Sequence, residues 1–325
     1  MRSRRPVLSV QLLAAIVSVT LLLSVAACGT PAPSLPQGPA AVSAELSGGQ
    51  GQEFLDRVST YHWSDGGAAA ANALAWIGSD AQSPNPQTAA RAGQAAHAIA
   101  AYLGKNGDRL LHLATGWFGL QHRSIGQLNP ALVRGYGAAL MPYQGAIVGD
   151  VTGTAGFTPL PEHPGDFSAP RNVFAVIDTD TQAGKDFDAA AYGRMEKILG
   201  AFAEAVTADG PAADSSRWMF AAYLAGVVEG GAVRSGNRDI RVRNAQESED
   251  FAKYVIVSAM KPVPGQPVPV NYFNANGALL APDQISAGDL EAYSESLSAY
   301  LQGNKQTLAV VMNFQSYFNQ GAGTR

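Results

Sequence analysis

The chain has 325 residues, of which 46% are hydrophobic and 15% charged, with a formal charge of −4 and a single cysteine. That length and apolar content allow one large domain or two modest ones, and the charged fraction lies well under the usual level of about 25%. A mildly acidic chain lacks the clustered Lys and Arg of a general nucleic-acid binder, and one cysteine excludes an intramolecular disulfide and a cysteine-rich zinc site.

The first 28 residues have three parts. Arg2, Arg4 and Arg5 form a positive start, residues 7–25 are mostly apolar, and Ala26 and Ala27 precede Cys28. This is the layout of a secretory signal peptide. The Ser and Gln interruptions, and the Pro/Gly/Ser-rich stretch that follows, differ from a permanent membrane span. The run Val25-Ala26-Ala27-Cys28, with Leu23 upstream, resembles the lipobox of bacterial lipoproteins. The resemblance implies cleavage between Ala27 and Cys28, lipidation of the Cys28 sulfur, and a place on the extracytoplasmic face of the cell membrane. Two or three acyl chains on one residue hold a protein stably, where one chain is marginal. Ser3-Arg4-Arg5-Pro6-Val7-Leu8 is similar to a twin-arginine export signal, although the general pathway needs the same charge. Residues 1–27 hold three arginines and no acid, so the remainder carries 19 basic against 26 acidic residues, a charge near −7.

Residues 28–52 read as the lipidated cysteine and a flexible tether, because they are rich in Pro, Gly, Ser and Ala and almost uncharged. As a coil, roughly 24 residues span on the order of 25–30 Å. A helical domain is expected over residues 53–325. Phe54, Leu55, Val58 and Tyr61 share one helix face. Ser64 or Asp65 caps a second helix that Gly78 stops. Asn85 caps a third with Pro86 at its first position and Gly104 at its end, and a fourth covers residues 108–118. Asn129 and Pro130 open another, which Pro142 should kink or split near Leu140. Residues 149–171 form a long Gly/Pro-rich connection, a candidate soft division into two lobes. The apolar run at residues 172–180 is a short buried helix or an extended segment. A long helix follows over 181–208, another capped by Asp214 or Ser215, one over 246–261, and two final helices over about 283–302 and 304–319. The expectation is an irregular all-α domain of eight to ten helices.

Few residues carry recognisable chemistry. No Gly-x-Ser-x-Gly or comparable nucleophile context occurs, and lipidation would remove Cys28 from any catalytic role. His62, His97, His112, His122 and His163 form no close pair, and the helical ones read as semi-buried and locally bonded. The acidic run from Asp178 to Asp188 departs from an EF-hand, since Ala183 and Ala189 stand where glycine and glutamate are needed. Asp178 or Asp180 reads instead as a helix cap. Arg234, Arg238, Arg241 and Arg243 suit a solvated loop pairing with Asp239, Glu247 and Glu249, or contact with anionic headgroups or an acidic partner. Trp63, Trp76, Trp117 and Trp218 read as core residues. No catalytic, cofactor-binding or metal-binding residue is assigned, and no cofactor is expected.

The stretches at residues 128–150, 172–195 and 218–234 resemble an uncharacterised helical module of actinobacterial, especially mycobacterial, proteins labelled as TPR-repeat-region proteins and linked to WXG-type secretion. The resemblance covers about residues 120–320 and implies an envelope-associated helical protein; it supplies no catalytic residues. The expectation is therefore a lipid-anchored, non-enzymatic interaction or scaffold module with an envelope protein partner. The alternatives are a helical carrier for a hydrophobic or small polar ligand, and an enzyme whose site is scattered in sequence.

Overall fold

The computed structural model describes residues 31–324 apart from 116–119, 162, 164 and 209–216. The signal segment 1–27, the cleavage pair Ala27 and Cys28, and the lipidation site itself lie outside the described residues, as do Trp117, Asp214 and Ser215.

The expected tether is largely folded. Helix α1 (Gly38–Ser47) starts with a proline in its first turn and buries Val42, Ser43 and Leu46. Val42 and Leu46 stand one turn apart, so they share a face, and that face packs on α5, α2 and α3. The composition of the segment hides this two-residue apolar face, which becomes worth burying only where a larger helix offers a surface. Helix α2 (Gly51–Thr60) then buries Phe54, Leu55 and Val58 as its periodicity predicts.

The next helices follow their local signals with three corrections. Asp65 accepts from the backbone N–H of Gly67 and Ala69, both at 2.9 Å, ahead of α3 (Ala68–Leu74) and α4 (Trp76–Asp80). Gly78 lies inside α4 and does not stop it. Asn85 caps α5 (Pro86–Leu111) by accepting from Gln87 and Thr88. Gly104 does not end α5 either: a Cβ there would sit 2.9 Å from the Ala169 side chain, so the glycine is a close approach between helices. The described part of the segment expected as a separate helix at 108–118 is the end of α5 followed by a strand. That strand, β1 (Leu113–Thr115), pairs antiparallel with β2 (Gln121–Arg123). After α6 (Ile125–Leu128) and α7 (Pro130–Leu140), a 3-10 turn at Met141–Tyr143 and the short α8 (Gln144–Ile147) show the expected break at Pro142.

Helix α9 (Ser168–Ile177) settles the undecided run: Val173 through Ile177 are all buried, so no polar face reveals the helical period. It lies against both α5 and α11. Asp180 caps α10 (Thr181–Thr207) through the Ala183 N–H. Then come α11 (Trp218–Ser235), α12 (Ala245–Ala259), α13 (Leu290–Gln302) and α14 (Lys305–Ala322). The described residues thus hold fourteen α-helical segments, twelve of at least five residues, beside one two-stranded sheet. The all-α class holds, with more helices than the eight to ten expected.

Residues 33–325 form one unit, so the connection at 149–171 does not divide lobes. The hydrophobic core is nevertheless double. One part gathers α1–α9 with the start of α10 as far as Ala191; the other begins at Met195 and takes in α12, α13 and α14. Helix α11 serves both, giving Trp218, Ala221, Ala222 and Ala225 to the second core and Leu224, Val227 and Val228 to the first. The two cores are therefore stitched by α10 and α11 rather than joined by a loop.

Candidate functional site

Two adjoining depressions line the second core. One, of about 370 Å³, lies between the start of α12 and the segment at 281–290, with Phe251, Pro282, Ile285 and Leu290 among its walls. The other, of about 780 Å³, continues along α12 and α13 past Lys253, Ser294 and Gln302. They share Glu247, Asp250, Ala287 and Leu290, so they form one groove. Local signals build its floor: Asn244 accepts from the Glu247 N–H while the Glu247 carboxylate accepts from the Asn244 N–H, a capping box that starts α12. The opposite wall is set by the 3-10 turn at Pro282–Gln284 and the start of α13.

Arg243 sits at the smaller depression. Its guanidinium lies 4.3 Å from the centroid of the Tyr192 ring and 4.1 Å from that of Phe251. Its backbone N–H donates to the Tyr192 hydroxyl at 2.8 Å, so backbone and side chain are held by the same phenol. Each such cation–π contact contributes on the order of 0.5–2 kcal/mol and fixes the plane of the guanidinium. Neighbouring Arg241 instead forms an ion pair with Glu247 at 2.8 Å, in line with the expected local pairing. Of the other expected partners, Glu249 pairs with Lys253, and Arg234 pairs with Asp108.

Farther along the groove, Lys253 is buried with its ammonium 2.6 Å from Glu249 and donating to Ser294 Oγ at 3.1 Å. Ser294 in turn donates to Asp250 Oδ1 at 2.5 Å. A Ser–Lys nucleophile needs the amine to accept the serine proton; here the direction is reversed, the ammonium donating and the hydroxyl proton engaged by Asp250. The cluster closes on itself as a structural clamp between α12 and α13.

Two acidic sites lie deeper. Asp150 is buried and takes ion pairs from Arg194 at 2.7 Å and Arg217 at 3.1 Å. Burial pushes its carboxyl up, but the Thr152 hydrogen bond and the two guanidinium charges outweigh that and leave it below the ordinary range. Asp178 and Asp188 are the opposite case. They are 0% and 4% exposed, and none of their four carboxyl oxygens has a hydrogen-bond partner among the described residues. Burial raises Asp178 well above the usual carboxylate range, with repulsion from Asp188 adding to it, and burial pushes Asp188 to about 8.

The remaining expected site residues are dispersed. Asp180 is the cap, and it also holds Arg134 in a two-pronged contact of 3.1 and 3.2 Å; Asp178 closes α9 instead. His97 donates from Nδ1 to the Thr158 carbonyl at 2.7 Å and meets Phe157 edge-on. His112 and His122 are exposed at the end of α5 and on β2, not semi-buried, and His62 and His163 are exposed as well. Trp63 and Trp218 are core residues as expected, and Trp76 is half-buried under Arg91. Among the described residues no three His, Cys, Asp or Glu side chains gather to hold a metal ion. No described helix is long and apolar enough to cross a membrane. Comparison with protein-family models, with curated proteins and with solved structures finds no match.

Proposed function

We propose that this chain is a lipid-anchored, non-catalytic interaction module of the cell envelope, and that it acts by binding through the α12–α13 groove. The groove carries the reading: in it a concave, largely apolar wall adjoins Arg243, a cation held, among the described residues, by two aromatic rings and without a carboxylate. Two clusters that would suit catalysis are engaged internally. Lys253, Asp250 and Ser294 satisfy one another, and Asp150 is neutralised by two arginines. Pockets of several hundred Å³ with few polar groups are the usual form of ligand sites.

The anchor rests on the lipobox at residues 25–28. Leu35 already packs against the core, and it lies seven positions after Cys28, a contour of at most roughly 25 Å. A lipid on Cys28 would therefore hold the domain close to the bilayer surface rather than on a long leash. Crosslinking in intact cells, comparing wild type with Cys28→Ala, tests both parts. The variant is expected to leave the membrane fraction and to lose the adducts of the anchored protein. A wild type that yields no specific adduct, or a Cys28→Ala chain that stays processed and membrane-bound, contradicts the proposal.

A further inference from the structure

We infer that the smaller end of the groove binds an amphipathic organic anion: a compact apolar body carrying one carboxylate or similar acidic head, with Arg243 as the anchor for the head. This rests on the reading of the groove as the binding surface and names the chemistry it selects.

The charges around the 370 Å³ depression are engaged unevenly. Glu247 is used twice, by Arg241 and by the Asn244 N–H. Asp250 accepts from Ser294 and Gln246 and lies 3.8 Å from Lys253. Asp283 lies exposed at the rim. Arg243 stacks on Tyr192 and Phe251 but, among the described residues, pairs with no carboxylate, and its buried Nη1 meets no hydrogen-bond acceptor there. A guanidinium offers five donors in a fixed fork that matches a carboxylate in two-pronged geometry. Both rings hold that fork in one orientation before any ligand arrives, so little side-chain freedom is lost on binding. The remaining wall is apolar, with Phe251, Pro282, Ile285 and Leu290 facing the space. A head without an apolar body would leave that wall in water, and an apolar body without a head would leave the guanidinium unanswered.

The test uses decanoate, its neutral counterpart decanol, and decyltrimethylammonium, titrated calorimetrically into the folded domain. Decanoate is expected to bind at least about tenfold more tightly than decanol, the size of one charge-assisted hydrogen bond, and the ammonium compound to bind no better than decanol. Arg243→Gln should erase the preference for decanoate while leaving decanol binding in place. Arg243 also packs against two rings, so Ala287→Trp serves as a second variant: Ala287 is exposed and lines the depression from the other wall. Filling the space there should remove decanoate binding with the thermal transition unchanged. Equal affinity for decanoate and decanol, an unaltered Arg243→Gln variant, or no binding of any probe overturns the inference. If the probes fail while anchored wild type still yields specific groove adducts in cells, the anion assignment falls and the binding reading stands. If both fail, both fall.

Discussion

Asp188 is where a single residue bears most on behaviour. An acid held protonated in the fold keeps a proton that the unfolded chain releases above about pH 4, so the unfolded state gains as pH rises. With Asp178 and Asp188 both raised by burial, and Asp188 to about 8, stability should fall from roughly pH 4 upward, the share due to Asp188 levelling off above about 8. Asp188→Asn removes one ionisation and adds a donor that Asp178 lacks. Its melting temperature at pH 7.5 should exceed wild type by the equivalent of about 1–3 kcal/mol, with a flatter profile from pH 4 to 8. A variant as pH-sensitive as wild type would remove this account of the pair. The acidic run was visible in the sequence, and so was the capping role that Asp180 fills. The burial of Asp188 was not, because a charged residue two turns into a helix reads as solvated until its neighbours are known. Arg243 was legible only as one of four loop arginines, since Tyr192 and Phe251, which single it out, lie 51 residues before it and 8 after it.

At the scale of elements, caps were the most legible features and helix ends the least. Asn85, Asp180 and Asn244 act through bonds two or three residues away, so a short window contains the whole signal. Gly78 and Gly104 carried the look of stops but serve helix contacts instead, which depend on segments 60 or more residues distant. The same physics governs the α11–α14 crossing. A Cβ on Gly226 would overlap the Phe318 carbonyl oxygen and come within 2.7 Å of the Ala322 N–H. Gly200, on α10, has open space around the same position. Gly226→Ala should therefore destabilise by about 1–3 kcal/mol through overpacking, whereas Gly200→Ala should stabilise by about 0.5–1 kcal/mol through helix propensity. Urea midpoints of the two variants separate the cases. A neutral or stabilised Gly226→Ala would mean that the two helices are not in backbone contact there.

At the scale of the whole molecule, the architecture assigns two jobs to two cores. The first core takes in α1 and so ties the start of the folded body, a few residues after Cys28, to the long helix α5. The second core supports α12 and α13 and the groove between them. Helices α10 and α11 run through both, so α12 and α13 stand on a helical frame, while Arg241, Arg243 and the segment at 281–287 line the smaller depression from outside the α-helices. Periodicity and capping led to the all-α class correctly, because repeated caps and 3.6-residue patterns recur along the chain. It could not place the groove, whose walls come from residues 241–253 and 281–302, with a Pro-rich loop between them. The central claim is that the chain works by binding in this groove. It is tested most directly by replacing Leu290, which lines both depressions, with a photo-crosslinking residue in the full chain, and Met312, which is 72% exposed on α14, in a control. Irradiation of intact cells should give a specific adduct from position 290 that decanoate competes away, and none from position 312. No adduct at 290, or the same adducts at both positions, would contradict the claim.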